Sequence, residues 1–247
     1  MKIPSTSTLC LAGLILASST ALHASTILID FGGTEGTFYD AGTDNYWNTV
    51  SNTTTTLADL VDTTNTNSGV SLTVTNTFNG ANSDGSVSGL PLLPADLNVA
   101  AATSDFVYVQ GNIPFSGSGS FTLSGLDSNT VYSFTIFGSR NSTQTRQTEY
   151  EAIGANTNYG TLTTSGTNIS SSGTQNFNDN TVLTFNDVTP DASGNVVFNL
   201  GRTNGDFGYL NLMQITAVIP EPSTYALATG LVCIGGVVLH RRRKQQQ

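Results

Sequence analysis

The chain has 247 residues and a formal net charge of −9, from 8 basic and 17 acidic side chains. Its cysteines (Cys10, Cys233) and histidines (His23, His240) all lie towards the two ends. Residues 25–219, the body, therefore carry three arginines against sixteen acidic side chains, a formal charge of −13. This composition excludes from the body a disulfide, a His/Cys zinc site and a histidine-dependent catalytic triad. It also argues against nucleic acid as a partner, because phosphate binding needs clustered basic side chains.

The first 24 residues have the pattern of a secretory signal peptide. Lys2 supplies a short positive region, and an apolar stretch too short to span a membrane follows it. Cleavage after Ala24 would leave Ser25 at the mature N-terminus, and cleavage after Ala21 is the alternative. We expect export from this end of the chain.

The body reads as an all-β domain. Residues 26–31 (TILIDF) alternate apolar and polar side chains, and turn residues separate most of the later apolar stretches. The pattern predicts about nine strands, at residues 26–31, 69–79, 106–109, 120–123, 131–138, 147–153, 182–185, 196–200 and 209–218. Such spacing, almost without a helical period, is typical of an antiparallel β-sandwich or jelly roll.

The remaining stretches of the body are predicted to be irregular. Residues 40–45 form a polar loop, residues 53–67 are rich in Thr and Asn, and residues 57–61 could make one helical turn within them. A second irregular connection, residues 90–105, contains Pro91 and Pro94. No repeat and no glycine-rich phosphate loop is visible in these segments, which argues against a nucleotide-binding fold.

The C-terminal tail combines three features in a fixed order. Pro220 and Pro222 interrupt regular structure, residues 225–239 carry no charge, and a basic cluster follows. That cluster consists of Arg241, Arg242, Arg243 and Lys244. An apolar helix of this length would span about 22 Å against a bilayer core of about 30 Å, so it suits a transient anchor. We predict a transmembrane helix over residues 224–240, with the basic cluster held on the cytoplasmic side.

This tail resembles the PEP-CTERM sorting domain. The matching residues are the triplet Pro220, Glu221 and Pro222, the apolar stretch and the basic cluster, together about the last 28 residues. In that family the membrane-embedded enzyme exosortase recognises the tail and is thought to cut near the triplet. The family occurs in Gram-negative bacteria that make exopolysaccharide. The resemblance implies export, transient anchoring in the inner membrane, and release to the cell surface or extracellular matrix.

The body resembles, more loosely, the galactose-binding-like jelly-roll domains that often precede this tail. The shared features are turn and strand residues, at 29–32, 125–127, 190–195 and 208–211. They imply a fold more than an activity, and no ligand residue carries over from the family.

The lone tryptophan, Trp47, is the first candidate for ligand binding. Sugars stack on aromatic faces, and Tyr46, Tyr39 and Phe38 lie near it in the sequence, with Asp44 in the preceding loop. The alternative is that Trp47 fills the core between two sheets, as large aromatics usually do. Asp40, Asp44 and Asn45 could also offer oxygens to calcium, but their spacing is not that of a known calcium loop, and turn residues are the alternative. No metal site or cofactor is expected.

Two charged pairs are further candidates. Glu149 and Glu151 flank Tyr150 and share one face of a predicted strand, about 7 Å apart. Paired carboxylates at such a distance can hydrolyse glycosides, whereas a solvent-facing edge is the alternative. Arg140 and Arg146 flank a loop and could pair with carboxylates of the body or bind an acidic sugar. Of these two options, we expect pairing with the body's own carboxylates.

The sequence therefore predicts three parts. Residues 1–24 are a signal peptide, residues 25–217 an extracellular β-sandwich, and residues 218–247 a sorting signal with a basic tail. The predicted function is that of an exported, non-catalytic surface or matrix protein, processed by exosortase, with weak binding of exopolysaccharide as an option. The alternatives are a carboxylate-dependent enzyme acting on glycans and a purely structural coat protein.

Overall fold

The computed structural model describes residues 25–86, 93–111 and 119–218. Fifteen strands lie within these ranges. In chain order they are β1 (Thr26–Phe31), β2 (Gly36–Asp40), β3 (Asn45–Val50), β4 (Thr56–Leu57), β5 (Ser71–Asn76), β6 (Gly80–Asn82), β7 (Phe106–Val109), β8 (Ser120–Ser124), β9 (Val131–Phe137), β10 (Arg146–Ile153), β11 (Thr157–Ser165), β12 (Leu183–Val188), β13 (Val196–Asn204), β14 (Gly208–Leu210) and β15 (Leu212–Val218). A 3₁₀ turn (Ala95–Leu97) and one short helix, α1 (Ala100–Thr103), complete the described elements.

Two six-stranded sheets form the body, so the predicted all-β sandwich is confirmed. The first sheet has the order β12-β9-β15-β1-β3-β2 and the second β11-β10-β13-β8-β5-β4. Their pairs are antiparallel except for β1 and β3, which run parallel, so the prediction of a purely antiparallel sheet is wrong at that pair. A small third sheet, β14-β7-β6, lies beside them.

The main core lies between the two six-stranded sheets. In β10 every second side chain is buried, as the pleat of a strand with one covered face requires. Aromatic rings join the sheets: Phe31 of the first lies 5.4 Å from Phe121 of the second, and Phe134 of the first lies 4.9 Å from Phe198 of the second. This packing stabilises a body that cannot form a disulfide.

A second, smaller core covers the outer face of the first sheet. Leu28 of β1 and Trp47 of β3 point away from the main core and pack against the connection that contains the 3₁₀ turn and α1. Leu97 and Ala102 of that connection are fully buried there. Both faces of β1 are consequently covered, and its last five residues are all buried.

The chain changes sheet at Asn211, where a single strand over residues 209–218 was predicted. The residues before Asn211 pair with β7 in the third sheet, and those after it pair with β1 and β9. The Asn211 side chain holds this crossing: its Oδ1 accepts from the N–H of Ser139 at 2.7 Å, and its Nδ2 donates to the carbonyl of Thr103 at 3.0 Å. Buried backbone groups thereby keep their partners.

All nine predicted strands are present, with shifted ends for most of them and with the last divided at Asn211. The helical turn predicted at residues 57–61 is wrong. The N–H of Leu60 bonds to the carbonyl of Val70 at 2.7 Å, and Asn48 holds both the N–H and the carbonyl of Val61, so this stretch is extended. The sequence pattern also missed five strands, β2, β3, β4, β6 and β11. Of these, β4 and β6 have only two and three residues, and the others have outward side chains that include aromatics or inward ones that are small and polar.

Several predicted features lie outside the described residues. These are the signal peptide over residues 1–24, the triplet Pro220-Glu221-Pro222, the helix over residues 224–240 and the basic cluster at residues 241–244. Within residues 25–86, 93–111 and 119–218, no helix is long and apolar enough to cross a membrane.

Candidate functional site

The open side of the second sheet carries the most exposed aromatic ring among the described residues. Tyr159 of β11 is 71% exposed and stands directly opposite Glu151 of β10. Glu151 Oε2 accepts from Asn199 Nδ2 of β13 at 2.9 Å. We call the surface formed by Tyr159, Glu151, Asn199, Glu149 and Thr161 the Tyr159 face. It joins one aromatic ring to carboxylate, amide and hydroxyl groups, which is the chemistry that sugar hydroxyls and sugar ring faces require.

The predicted glutamate pair lies on this face, and not at a sheet edge. Strand β10 pairs with β11 on one side and β13 on the other, so the edge interpretation of Glu149 and Glu151 is wrong. Partial burial, and then the charge of Glu151, raise the pKa of Glu149. Because Glu151 already accepts a hydrogen bond from Asn199, the two carboxyl groups have different surroundings.

The hairpin of β2 and β3 brings together some of the predicted ligand residues. Tyr39 and Tyr46 are cross-strand partners with ring centroids 5.0 Å apart, and the Tyr39 hydroxyl donates to Asp44 Oδ1 at 2.6 Å. Asp44 has a left-handed backbone (φ 59°) at the tip of the turn. Asp40 Oδ2 accepts from the N–H and the hydroxyl of Thr43, both at 2.8 Å. Asp40 and Asp44 therefore stabilise the turn. Turn residues were the predicted alternative to calcium ligands at these positions.

Trp47 does not belong to that exposed group. It is completely buried, and its ring stacks on Phe38 with 6.0 Å between centroids. Neighbouring residues of a strand point to opposite faces, so Trp47 enters the second core while Tyr46 faces the other way. The proposal that Trp47 stacks on a sugar is therefore wrong. Its buried position was the alternative, although it lies outside the first sheet and not between the sheets.

A cavity of about 270 Å³ opens at one end of the second core, and the sequence analysis did not identify it. It is lined by the carboxyl groups of Asp30 and Asp105. A methyl group added at Gly33 would lie 3.2 Å from Asp105 Oδ2 and 3.5 Å from Asp30 Oδ2, so the two carboxyl groups converge on the same spot. Thr49, the partner of Asp30 in the parallel pair, donates its hydroxyl to Asp30 Oδ2 at 3.1 Å.

The two carboxyl groups of this cavity have perturbed proton affinities. Burial, and then the neighbouring Asp105 carboxylate, raise the pKa of Asp30 to about 8. Burial also raises the pKa of Asp105, to about 6. The pair therefore retains a proton near neutral pH. One signal in the sequence points to Asp30: it follows Leu28 by two positions and shares that residue's face of the strand.

Arg140 and Arg146, which flank the loop over residues 141–145, both contact Tyr209. Arg140 pairs with Asp84 at 3.6 Å, which confirms internal pairing for that residue. Arg146 is buried and has no carboxylate partner among the described residues. It donates to the Tyr209 hydroxyl and, through Nε, to Gln144 Oε1 at 2.7 Å. Its guanidinium group also lies 5.0 Å from the centre of the Phe207 ring. Aromatic faces thus take the place of the expected carboxylate.

No metal site was predicted. Within the part of the chain that the structure describes, no three His, Cys, Asp or Glu side chains converge closely enough to hold a metal ion. Among the described residues, neither the acidic side chains of the hairpin nor those of the cavity form such a group.

No protein-family model and no curated protein matches the chain. Among solved structures, the chain is similar to the CBM22-1 xylan-binding domain of Xyn10C from Paenibacillus barcinonensis. The two share 12% sequence identity with a TM-score of 0.33, over 70% of this chain and 91% of that domain. A likeness at this level carries no argument about the ligand of the present chain.

Proposed function

We propose that this chain is an exported, non-catalytic protein of the cell surface or extracellular matrix, and that its body binds polysaccharide through the Tyr159 face. The observation that carries the binding proposal is the 71% exposure of Tyr159 beside Glu151 on an open sheet face. The exposed ring face is free to stack on a sugar ring, which would cover it. The polar side chains around it supply donors and acceptors for sugar hydroxyls.

Export rests on the two ends of the chain. The signal-peptide pattern of residues 1–24 and the PEP-CTERM resemblance of the tail support secretion, transient anchoring in the inner membrane and processing by exosortase. An acidic body without lysine suits a molecule that stays soluble among polysaccharides after its release.

Mass spectrometry of the protein recovered outside the cell tests the export proposal. We expect an N-terminus at Ser25, or three residues earlier, because a small residue precedes each position. We expect the C-terminus near Pro220–Pro222, with the apolar stretch and basic cluster removed. A full-length protein confined to the cytosol would contradict the proposal.

Replacing Tyr159 with alanine tests the binding proposal. Binding of the purified protein to soluble polysaccharides is measured by affinity electrophoresis and calorimetry. We expect Tyr159→Ala to weaken it about fivefold or more, because removing an aromatic group at the centre of a binding surface costs more than about 1 kcal/mol. The ring is mostly exposed, so the variant should fold normally.

Tyr39→Ala is the matched control, since Tyr39 is a 48% exposed tyrosine on the other six-stranded sheet. It should bind polysaccharide as the unaltered protein does. Loss of binding in Tyr39→Ala alone would move the site to the hairpin with Tyr46 and Asp44. No binding to any polysaccharide would leave the coat-protein alternative.

A further inference from the structure

Strand β11 forms one edge of the second sheet, and its pairing with β10 fixes which of its backbone groups point outward. The N–H of Leu200 in β13 donates to the carbonyl of Gly119, on the side away from β10. Tyr150 of β10, opposite Leu200, therefore directs its own backbone groups to Gly160 of β11. Because these groups alternate sides along a strand, the residues before and after Gly160 turn theirs away from β10.

Three exposed residues of β11 consequently present their N–H and C=O groups to solvent. They are Thr157, Tyr159 and Thr161. Within the described part of the chain, no hydrogen bond reaches the outward backbone groups of these residues. Leu183 of β12 packs against Gly160 on the inner side of the sheet, so it leaves the lateral edge open. We call the outward backbone groups of these three residues the β11 edge.

The β11 edge lacks the features by which sheet edges avoid pairing with other chains, which include short strands, charged side chains and bulges. Residues 157–163 contain no charge and no proline, and they pair with β10 without a shift of register. The other edge strands of the described sheets each have such a feature. Strands β4, β6 and β14 have at most three residues, β2 lies between Glu35 and ends at Asp40, and β12 contains Asp187 and an irregular register.

We propose that the β11 edge pairs with the β11 edge of a second copy of this chain, so that the second sheets of both copies join into one. The strands run antiparallel about a two-fold axis, with Tyr159 opposite its own copy and Thr157 opposite Thr161 of the other copy. The edge ends soon after these residues, because the carbonyl of Thr164 already accepts from the N–H of Asn178. Each of the three facing pairs exchanges two bonds, which gives about six backbone hydrogen bonds.

A second copy fits this edge because the edge is complementary to itself. A two-fold interface uses the same surface on both subunits, and an antiparallel pair of identical strands matches every outward N–H with a C=O. Tyrosine opposite tyrosine and threonine opposite threonine are favourable cross-strand pairs. The Glu151 carboxylates of the two copies lie three strand spacings apart, about 14 Å, beyond the Debye length of about 8 Å at physiological salt. Two acidic bodies therefore meet here with little repulsion.

This interface goes beyond the proposed polysaccharide binding and does not depend on it. Side chains stand roughly perpendicular to a sheet, so pairing at the edge leaves the outer face of the sheet open. The Tyr159 rings of the two copies then lie side by side, and the two Tyr159 faces become one surface.

Light scattering and hydrogen exchange test the interface on the purified full-length protein in detergent, with no polysaccharide present. We expect the protein mass to rise from one chain to two with increasing concentration. The outward N–H groups of Tyr159 and Thr161 should exchange rapidly in the dilute protein. In the dimer they should exchange at least tenfold more slowly, because they then donate to the other copy.

Replacing Thr161 with proline removes an outward N–H while leaving the bonds between β10 and β11 in place, as edge strands allow. Thr161→Pro should weaken dimerisation at least tenfold, and circular dichroism checks that it is folded. Thr161→Val is the matched control, since it also loses the hydroxyl group but keeps the N–H, and it should dimerise normally.

A disulfide cross-link tests the register independently of the proline variant. Tyr159→Cys, in a chain whose Cys10 and Cys233 are replaced with serine, should form a disulfide between two copies. The Cα atoms of a hydrogen-bonded antiparallel pair are about 5.5 Å apart, which is within the range of a disulfide.

Four results would overturn the proposal. They are a protein that stays monomeric at millimolar concentration, a dimer that Thr161→Pro does not weaken, and a Tyr159→Cys dimer without the cross-link. The fourth is slow exchange of the Tyr159 N–H that does not depend on concentration, which would assign the edge to another segment of the same chain. A monomer that binds polysaccharide would contradict the interface alone, and a dimer that binds none would contradict only the polysaccharide site.

Discussion

Replacing Asn211 with alanine is expected to lower the free energy of unfolding by about 2–6 kcal/mol. The side chain is completely buried at the point where the chain passes from the third sheet to the first. Alanine would leave the N–H of Ser139 and the carbonyl of Thr103 without their partners, at about 1–3 kcal/mol for each buried group. Urea denaturation followed by circular dichroism measures the difference.

Asn129→Ala is the matched control for this variant. Asn129 is exposed in the turn before β9, and the hydrogen bonds of its side chain and N–H go to Asp127 in the same turn. Its replacement should change the free energy of unfolding by no more than about 0.5 kcal/mol. An equally small loss in Asn211→Ala would mean that the crossing does not depend on the buried amide.

Replacing Trp47 with alanine is expected to cost about 3–5 kcal/mol of stability. The ring fills the second core, where it packs with Leu28 and stacks on Phe38, and alanine would leave a large cavity there. Thermal and urea denaturation both report the loss. Polysaccharide binding should persist at temperatures where the variant remains folded, because the ring is inaccessible.

Tyr39→Ala is also the control for Trp47→Ala, because it distinguishes a loss of packing from a loss of binding. Tyr39 is on the strand that pairs with the Trp47 strand, but its ring is about half exposed, so its loss should cost far less stability. A Trp47→Ala protein of unchanged stability that no longer binds polysaccharide would contradict the buried position and restore the sugar-stacking hypothesis.

The alternating side chains of β1 show what a sequence pattern can and cannot predict about burial. It predicts that Ile27, Ile29 and Phe31 share one face, and these residues do enter the main core. It also places Leu28 and Asp30 together on the other face, which an ordinary sandwich would expose to solvent. The connection before β7 covers that face instead, so Asp30 becomes a buried acid. The pattern of one strand cannot show what packs on its outer side.

Strand β11 shows why the sequence pattern can miss a strand. In β11 the outward residues are Thr157, Tyr159 and Thr161, and Leu162 is the only large apolar side chain that it buries. Its pairing with β10 over eight residues, and not its own hydrophobicity, makes it a strand. The aromatic residue that is most exposed among the described ones was therefore overlooked, while the lone tryptophan, predicted as a ligand candidate, is buried.

The sequence by itself determined the all-β class, because alternating apolar residues and turn-forming residues are local properties that strands require. It also determined which chemistry the body lacks, since a chain without central Cys, His or Lys cannot supply those groups wherever it folds. Only the tertiary structure decided that Asp30 meets Asp105, that Trp47 lies under a covering connection and that Tyr159 stands beside Glu151. Each of these depends on contacts between segments far apart in the chain, and such contacts are set by how the sheets and the connection pack together.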